Sequence, residues 1–330
     1  MDISLLTEVV VCHSNRQIDH QTPMLLMGSC FTDNIGLALT RLKFPVSINP
    51  FGVIYNPLSI ANSLRTIMQQ KTVSDSDLVY DGGLWHSMQF HGSFSDHEKF
   101  GVISKTNDTI QKAHHFLKNA GVLMITFGTA WVYNYKKSNE IVANCHKIKS
   151  NEFDRFRLNV DQIVDDWMPL LAELRVFNPK LQLVFTVSPI RHLKDGAHGN
   201  QISKATLLLA IDKLLAELDN PVDYSYFPSY EIVNDELRDY RFYAADMIHL
   251  NETAIHFLFE KFKHCFFSNE TRKVLTEVSA IAKAVEHRML TNNPSEKLKF
   301  KQSMLKKIEK MNQMYPFIDF RNEKKHFENL

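Results

Sequence analysis

Two features of the sequence are suited to nucleophilic and acid–base chemistry. The first is Ser29 in "LLMGSCFTDNIG", residues 25–36, where four apolar residues run into Gly-Ser-Cys and the chain then turns polar. The second is Asp246, three residues before His249 in "YAADMIHLNETAIHFLFEKF". A serine hydroxyl becomes a useful nucleophile when a base takes its proton, and an imidazole oriented by a carboxylate is the commonest such base. A serine just ahead of a helix also has backbone N–H groups and the positive end of the helix dipole beside it, where an oxyanion is stabilised. Each feature has a plainer reading. Ser29 or Thr32 can simply cap a helix beginning near Thr32, and taken alone a strand–Gly–Ser–helix junction favours the cap. Asp-x-x-His taken alone favours a surface aspartate with a structural histidine. Position changes the balance: Asn251 is placed to cap a helix with an apolar face of Ile255, Leu258, Phe259 and Phe262. His249 is then expected at a helix N-terminus, which favours the neutral, proton-accepting imidazole, while Asp246 stabilises the imidazolium once formed.

The elements that must position these residues follow from periodicity. "PMLLMG" (23–28), "GVLMITFG" (121–128) and "LQLVFTVSP" (181–189) are short apolar runs ending in Gly or Pro, expected as strands buried on both faces. "VDYSYFPSY" (222–230) is aromatic enough for a fourth. Between them, Phe156, Val160, Ile163, Trp167, Leu170 and Leu174 fall on one helical face, as do Leu207, Ile211, Leu214 and Leu218. Strands separated by helices predict right-handed crossovers and a mostly parallel central sheet with helices on both faces. A hairpin is expected at 131–148, turning at Lys136 to Glu140, and an irregular stretch at 77–103 that has room for short strands. From 268 the pattern is helical and Lys-rich, giving a domain at 1–267 and a helical extension at 268–330 packed on the core. Ligands of such sheets bind beyond the carboxyl ends of the strands, which here deliver Gly28-Ser29-Cys30, Gly128-Thr129-Ala130 and Ser188 to His192.

The order of these pieces resembles the SGNH (GDSL-type) hydrolase superfamily, and "GSCFTDNIG" more closely resembles the signature of the GSCFA domain family, with Thr32 where the family name has Ala. "NPFGVIYNP" (49–57), "FGTAWVY" (127–133), "VSPIRHLKDG" (187–196), "SKATL" (203–207) and "DMIHLN" (246–251) support the resemblance. It implies a three-layer α/β/α sandwich and an ester-cleaving or acyl-transferring site in which Ser29 is the nucleophile, His249 the general base and then acid, and Asp246 its orienting partner. It also implies an oxyanion hole from the N–H groups of Ser29 and Gly52, with Thr129 in place of the asparagine that the Gly-Thr-Ala-Trp block lacks. The expected substrate is an O-acyl ester, a short acyl group such as acetyl on a carbohydrate-like alcohol. The mechanism requires no metal or organic cofactor.

His86 and His91, in "WHSMQFHGS", have a spacing of five that suits no zinc helix motif, and read either as a substrate-facing loop or as structural. Arg191 and His192 follow the third strand directly and either hold a substrate or pair with a nearby carboxylate; Trp131 joins them as a substrate-side candidate. Cys30 is expected to pack under the turn, since neighbours leaving a strand point apart. With 44% hydrophobic and 23% charged residues, the 330-residue chain can bury a large core. A net charge of +1 gives no footprint for nucleic acid or an anionic membrane. The four cysteines, Cys12, Cys30, Cys145 and Cys265, form no CxxC pair and are expected as thiols. "MDISLLTEVVVCHSNRQ" lacks a secretory pattern and no run approaches the roughly 18 apolar residues of a membrane helix, so the expected location is the cytoplasm. The rival from another class is a non-catalytic binding protein on the same scaffold, because a fold does not guarantee its chemistry.

Overall fold

The computed structural model describes residues 7–11, 13–286 and 293–330; Cys12 and the first six residues of the N-terminal segment lie outside them. Its centre is a five-stranded parallel sheet in the order β10-β9-β5-β1-β2. These strands are β1 (Met24–Gly28), β2 (Val46–Ile48), β5 (Val122–Phe127), β9 (Gln182–Val187) and β10 (Tyr224–Tyr226). In β1, β5 and β9 every residue is buried, which is why they read as unbroken apolar runs. Alternation assigns the faces. Leu25 and Met27 join one core with Leu123, Ile125, Leu183 and Phe185. Met24 and Leu26 join the other with Met124 and Val184.

Helices α2 (Pro57–Gln69), α3 (Lys99–Asn119), α4 (Val160–Phe177) and α5 (Gly196–Leu218) supply the first core. α1 (Cys30–Arg41) and α7 (Glu252–Phe266) supply the second. The protein is therefore an α/β/α sandwich with a parallel central sheet, extended by helices α8 (Asn269–Glu286), α9 (Pro294–Met314) and α10 (Arg321–Glu328). These last three bury Val278, Ile281, Ile308 and Phe327 among themselves, with Phe320 just ahead of α10, and meet the sandwich through Leu42 and through Leu275 of α8, which joins the second core.

Several boundaries differ from the periodicity. Phe156 is not on the helical face: it belongs to β8 (Phe153–Arg157), and α4 begins at Val160 because Asn159 and Gln162 form a capping box with bonds of 2.8 and 2.9 Å. The expected hairpin is β6 (Trp131–Tyr135) and β7 (Glu140–Val142), with β8 as an unpredicted third strand against β6. The stretch 77–103 holds the hairpin β3 (Leu78–Asp81) and β4 (Leu84–Ser87) and the start of α3. α1 starts at Cys30, two residues ahead of the expected Thr32, because Ser29 is its N-cap; Thr32 is buried and donates to Thr126 Oγ1 at 2.8 Å. At the other end of the sandwich, the N-terminal segment returns to the close of α7. Ser14 N–H donates to Cys265 O and Ile18 N–H to Phe266 O, each at 2.8 Å, and Ile18 bridges Phe267.

Candidate active site

The turn from β1 into α1 is built around Gly28. Its φ is +142°, and a Cβ there would lie 2.2 Å from Thr126 O on β5, so only glycine fits. Asn49, the residue after β2, fixes this turn from the side: its Oδ1 accepts from Gly28 N–H at 2.8 Å and its Nδ2 donates to Asp33 Oδ1 at 2.7 Å. Gly28 O in turn accepts from Ile54 N–H at 3.0 Å. Ser29 is thereby held, fully buried, at the carboxyl end of the sheet and the N-terminus of α1; its Oγ accepts from Phe31 N–H at 3.3 Å. Cys30 is half-buried beside it, and burial, reinforced by Asp33, pushes its thiol pKa up, away from the nucleophilic thiolate.

Asp246 and His249 lie on the loop between the Tyr243–Leu250 bridge partners, which leads into α7. Met247 takes a left-handed φ of +58°, and both Ile248 N–H and His249 N–H donate to Asp246 Oδ1 at 2.9 Å. The other carboxylate oxygen is 2.6 Å from His249 Nδ1. The hydrogen bond from His249, then those two amides, hold the Asp246 carboxyl down to about 2. A Nδ1–H given to Asp246 leaves Nε2 as the acceptor, the tautomer a general base needs. Asn251 caps α7 through Ala254 N–H at 3.1 Å. Both side chains of the pair are about half exposed, and among the described residues no hydrogen bond joins His249 to Ser29.

Two of the oxyanion candidates, Gly52 and Thr129, are otherwise engaged. Gly52, at φ +79°, donates its N–H to Asn49 O at 2.7 Å. Thr129 N–H donates to Tyr55 O at 3.0 Å, while its hydroxyl accepts from Trp131 N–H and pairs with Ser203. His91 packs its Cβ against Gly52 and caps the turn at Ser93 through Nδ1. His86 is not brought to this cluster by any of its bonds: its ring nitrogens meet Ser95 Oγ and Asp81 O, and it stacks on His146. Arg191 donates to Asn234 Oδ1 and forms no ion pair among the described residues.

Two residues that sequence reasoning left without a role complete the cluster. Lys204, in the "SKATL" turn of α5, is fully buried and donates to Gly128 O and Ser188 O, both at 2.7 Å, tying together the carboxyl ends of β5 and β9. Burial pushes its pKa down to about 7, with Cys30 opposing and Arg191 assisting. Tyr55 sets its ring edge-on to His192, centroids 5.4 Å apart. Burial, then the charges of Lys204 and His249, push His192 down to about 4, which keeps it neutral near pH 7. A lysine in the middle of an amphipathic pattern was the one signal for the first; nothing local marks the second.

No curated protein matches the sequence. Among solved structures, a carbohydrate esterase family 3 protein from Talaromyces cellulolyticus is similar at 8% identity and a TM-score of 0.37, over 78% of this chain and 99% of its own. The acetyl xylan esterase Est2A from the rumen bacterium Butyrivibrio proteoclasticus gives 9% and 0.37, over 74% of this chain and 62% of its own. Likeness at that level says nothing of this chain's chemistry. The family models are more decisive: the GSCFA family matches residues 23–262, spanning the sandwich with both the Ser29 turn and the Asp246–His249 loop, and the GSCFA domain protein, C-terminal domain, matches 278–330. On that match the chain belongs to the GSCFA family.

Proposed function

We propose that the chain is a serine-dependent hydrolase of SGNH type acting, in the cytoplasm, on an O-acyl ester, with a short acyl group such as acetyl on a carbohydrate-like alcohol. The observation that carries this reading is the pairing of a serine at a helix N-terminus beyond the sheet with a histidine whose Nδ1 lies 2.6 Å from a carboxylate. Ser29 Oγ attacks the ester carbonyl as its proton passes to His249 Nε2; Asp246 accepts the Nδ1–H bond throughout and stays ionised. The oxyanion lies at the N-terminus of α1, near Ser29 N–H. Gly52 and Thr129 contribute by exchanging their bonds to Asn49 O and Tyr55 O for the substrate. Collapse of the tetrahedral adduct breaks the bond to the alcohol, which leaves with the proton from His249. Water then attacks the acyl-serine by the same route, or an acceptor hydroxyl does so, in which case the protein is an acyltransferase.

A binding protein without catalysis is the second reading, favoured by those two engaged N–H groups and by the lack of a Ser29–His249 bond. A fluorophosphonate probe separates the two. Labelling of the Ser29 peptide, lost in Ser29→Ala, is expected; no labelling of the wild type sinks the nucleophile. His249→Ala and Asp246→Asn are each expected to lower acyl-ester kcat by roughly 10³- to 10⁴-fold, and wild-type turnover in both would overturn the base assignment.

A further inference from the structure

Beyond the carboxyl ends of β5 and β9, where Thr129 and His192 follow the strands, lies a cavity of about 340 Å³, lined among others by Tyr55, Trp131, Tyr133, Arg155, His192 and Lys194. That volume is in the range of small-molecule sites and suits one ring with its substituents better than a polymer segment. Three of its walls carry nitrogens that are shielded from water and lack a hydrogen-bond partner: the donors Trp131 Nε1 and Arg155 Nε, and His192 Nε2, which donates in one tautomer of the neutral ring. Nine side-chain N and O atoms are in that condition among the described residues, so a third of them gather at this one cavity. A buried donor left without an acceptor keeps its full desolvation cost, and such a group is ordinarily paired.

Several acceptors around the cavity are, by contrast, already engaged. Both oxygens of Asp195 take the Arg155 guanidinium at 2.6 Å. Asn200 Oδ1 accepts from His192 N–H, Thr129 Oγ1 from Trp131 N–H, and Ser203 Oγ from Ala130 N–H. Tyr133 accepts from Lys194 Nζ at 2.6 Å, which leaves its own O–H proton to give. A neutral polyol needs both donors and acceptors from its site, whereas a carboxylate needs donors alone. Charge agrees: Arg155 and Lys194 against Asp195 leave one positive charge in excess. Flat surfaces are there as well: Tyr55, Trp131 and Tyr133 line the cavity, with Arg155 Cζ over one face of the Trp131 ring, 4.1 Å from its centroid.

We infer that this cavity binds a sugar acid, its pyranose ring against Trp131 and its carboxylate toward Arg155 and Lys194, so that the ester substrate is an acylated uronic-acid glycoside. Naming it the alcohol side of the site rests on the hydrolase reading; the binding itself does not. Because the unpaired nitrogens are shielded, the side chains must part slightly to seat the ring.

The test uses no ester. The full chain is titrated with methyl glucuronoside, methyl galacturonoside and methyl glucoside, followed by tryptophan fluorescence and by calorimetry. A saturable response to at least one uronoside, with the glucoside weaker by roughly tenfold or more, is expected. The fluorescence response should disappear in Trp131→Phe, and Arg155→Gln should weaken binding by a similar factor. No calorimetric binding of either uronoside, or equal affinity for the glucoside, overturns the proposal. Both comparisons need only the wild type and hold if a variant fails to fold. Uronoside binding without fluorophosphonate labelling would remove the hydrolase reading and leave this site standing; labelling without uronoside binding would do the reverse.

Discussion

At the scale of single residues, the site depends on backbone demands that side-chain chemistry alone does not reveal. Gly28→Ala would place a methyl group against Thr126 O in a conformation that L-residues avoid; a loss of more than about 2 kcal/mol is expected in urea unfolding. Asp246 makes a second residue-scale prediction. Its carboxyl, held at about 2 mainly by His249, should titrate near that value by ¹³C NMR and move up in His249→Ala, without returning fully because Ile248 N–H and His249 N–H remain as donors. The linkage has the usual sign for a depressed acid: whatever stability the pair adds is present above the ordinary carboxylate range and is lost as pH falls through about 2. Ser29, Asp246 and His249 were legible in the sequence because each sits in a short local pattern, a strand end or a capped helix start. Lys204 and the donor-lined cavity were not, because their meaning depends on β5, β9, the β6–β8 sheet and α5 meeting in space.

Among the elements, legibility followed burial. β1, β5 and β9 are covered on both faces, so their apolar runs were unmistakable; β2, with three half-buried residues, and β8, mostly polar, left no such trace. Phe156 shows how the pattern misleads: its spacing matched the α4 face, yet the capping box at Asn159 starts the helix after it. Lys204 is the element-scale brace, joining two strands to α5 with an amine that the interior holds at about 7 against 10.5 in the unfolded chain. Between those values the unfolded state binds the extra proton, so this group makes stability rise with pH. Urea unfolding of wild type and Lys204→Met at pH 7 and at a pH near 9.5 should therefore show the wild type gaining on the variant. An unchanged difference would contradict a depressed lysine.

For the whole molecule, the helical extension has its own small core and leans on the sandwich through Leu42 and the Lys43–Glu323 ion pair. Phe327→Ala should cost about 3–5 kcal/mol there, seen as lost amide protection in α8 to α10, while Ser29 labelling persists; loss of labelling would show that the extension supports the site. The return of the N-terminal segment to the end of α7 carries a different consequence, one of timing. Ile18 is synthesised long before Phe266 and Phe267, its backbone partners. At ribosomal speeds of about 5–20 residues per second, that segment waits on the order of tens of seconds for its pairing. β1 must likewise wait for β5. A chain stopped before β5 would thus expose the very strand that leads into Ser29, and the sandwich closes only once Phe266 and Phe267 have been translated.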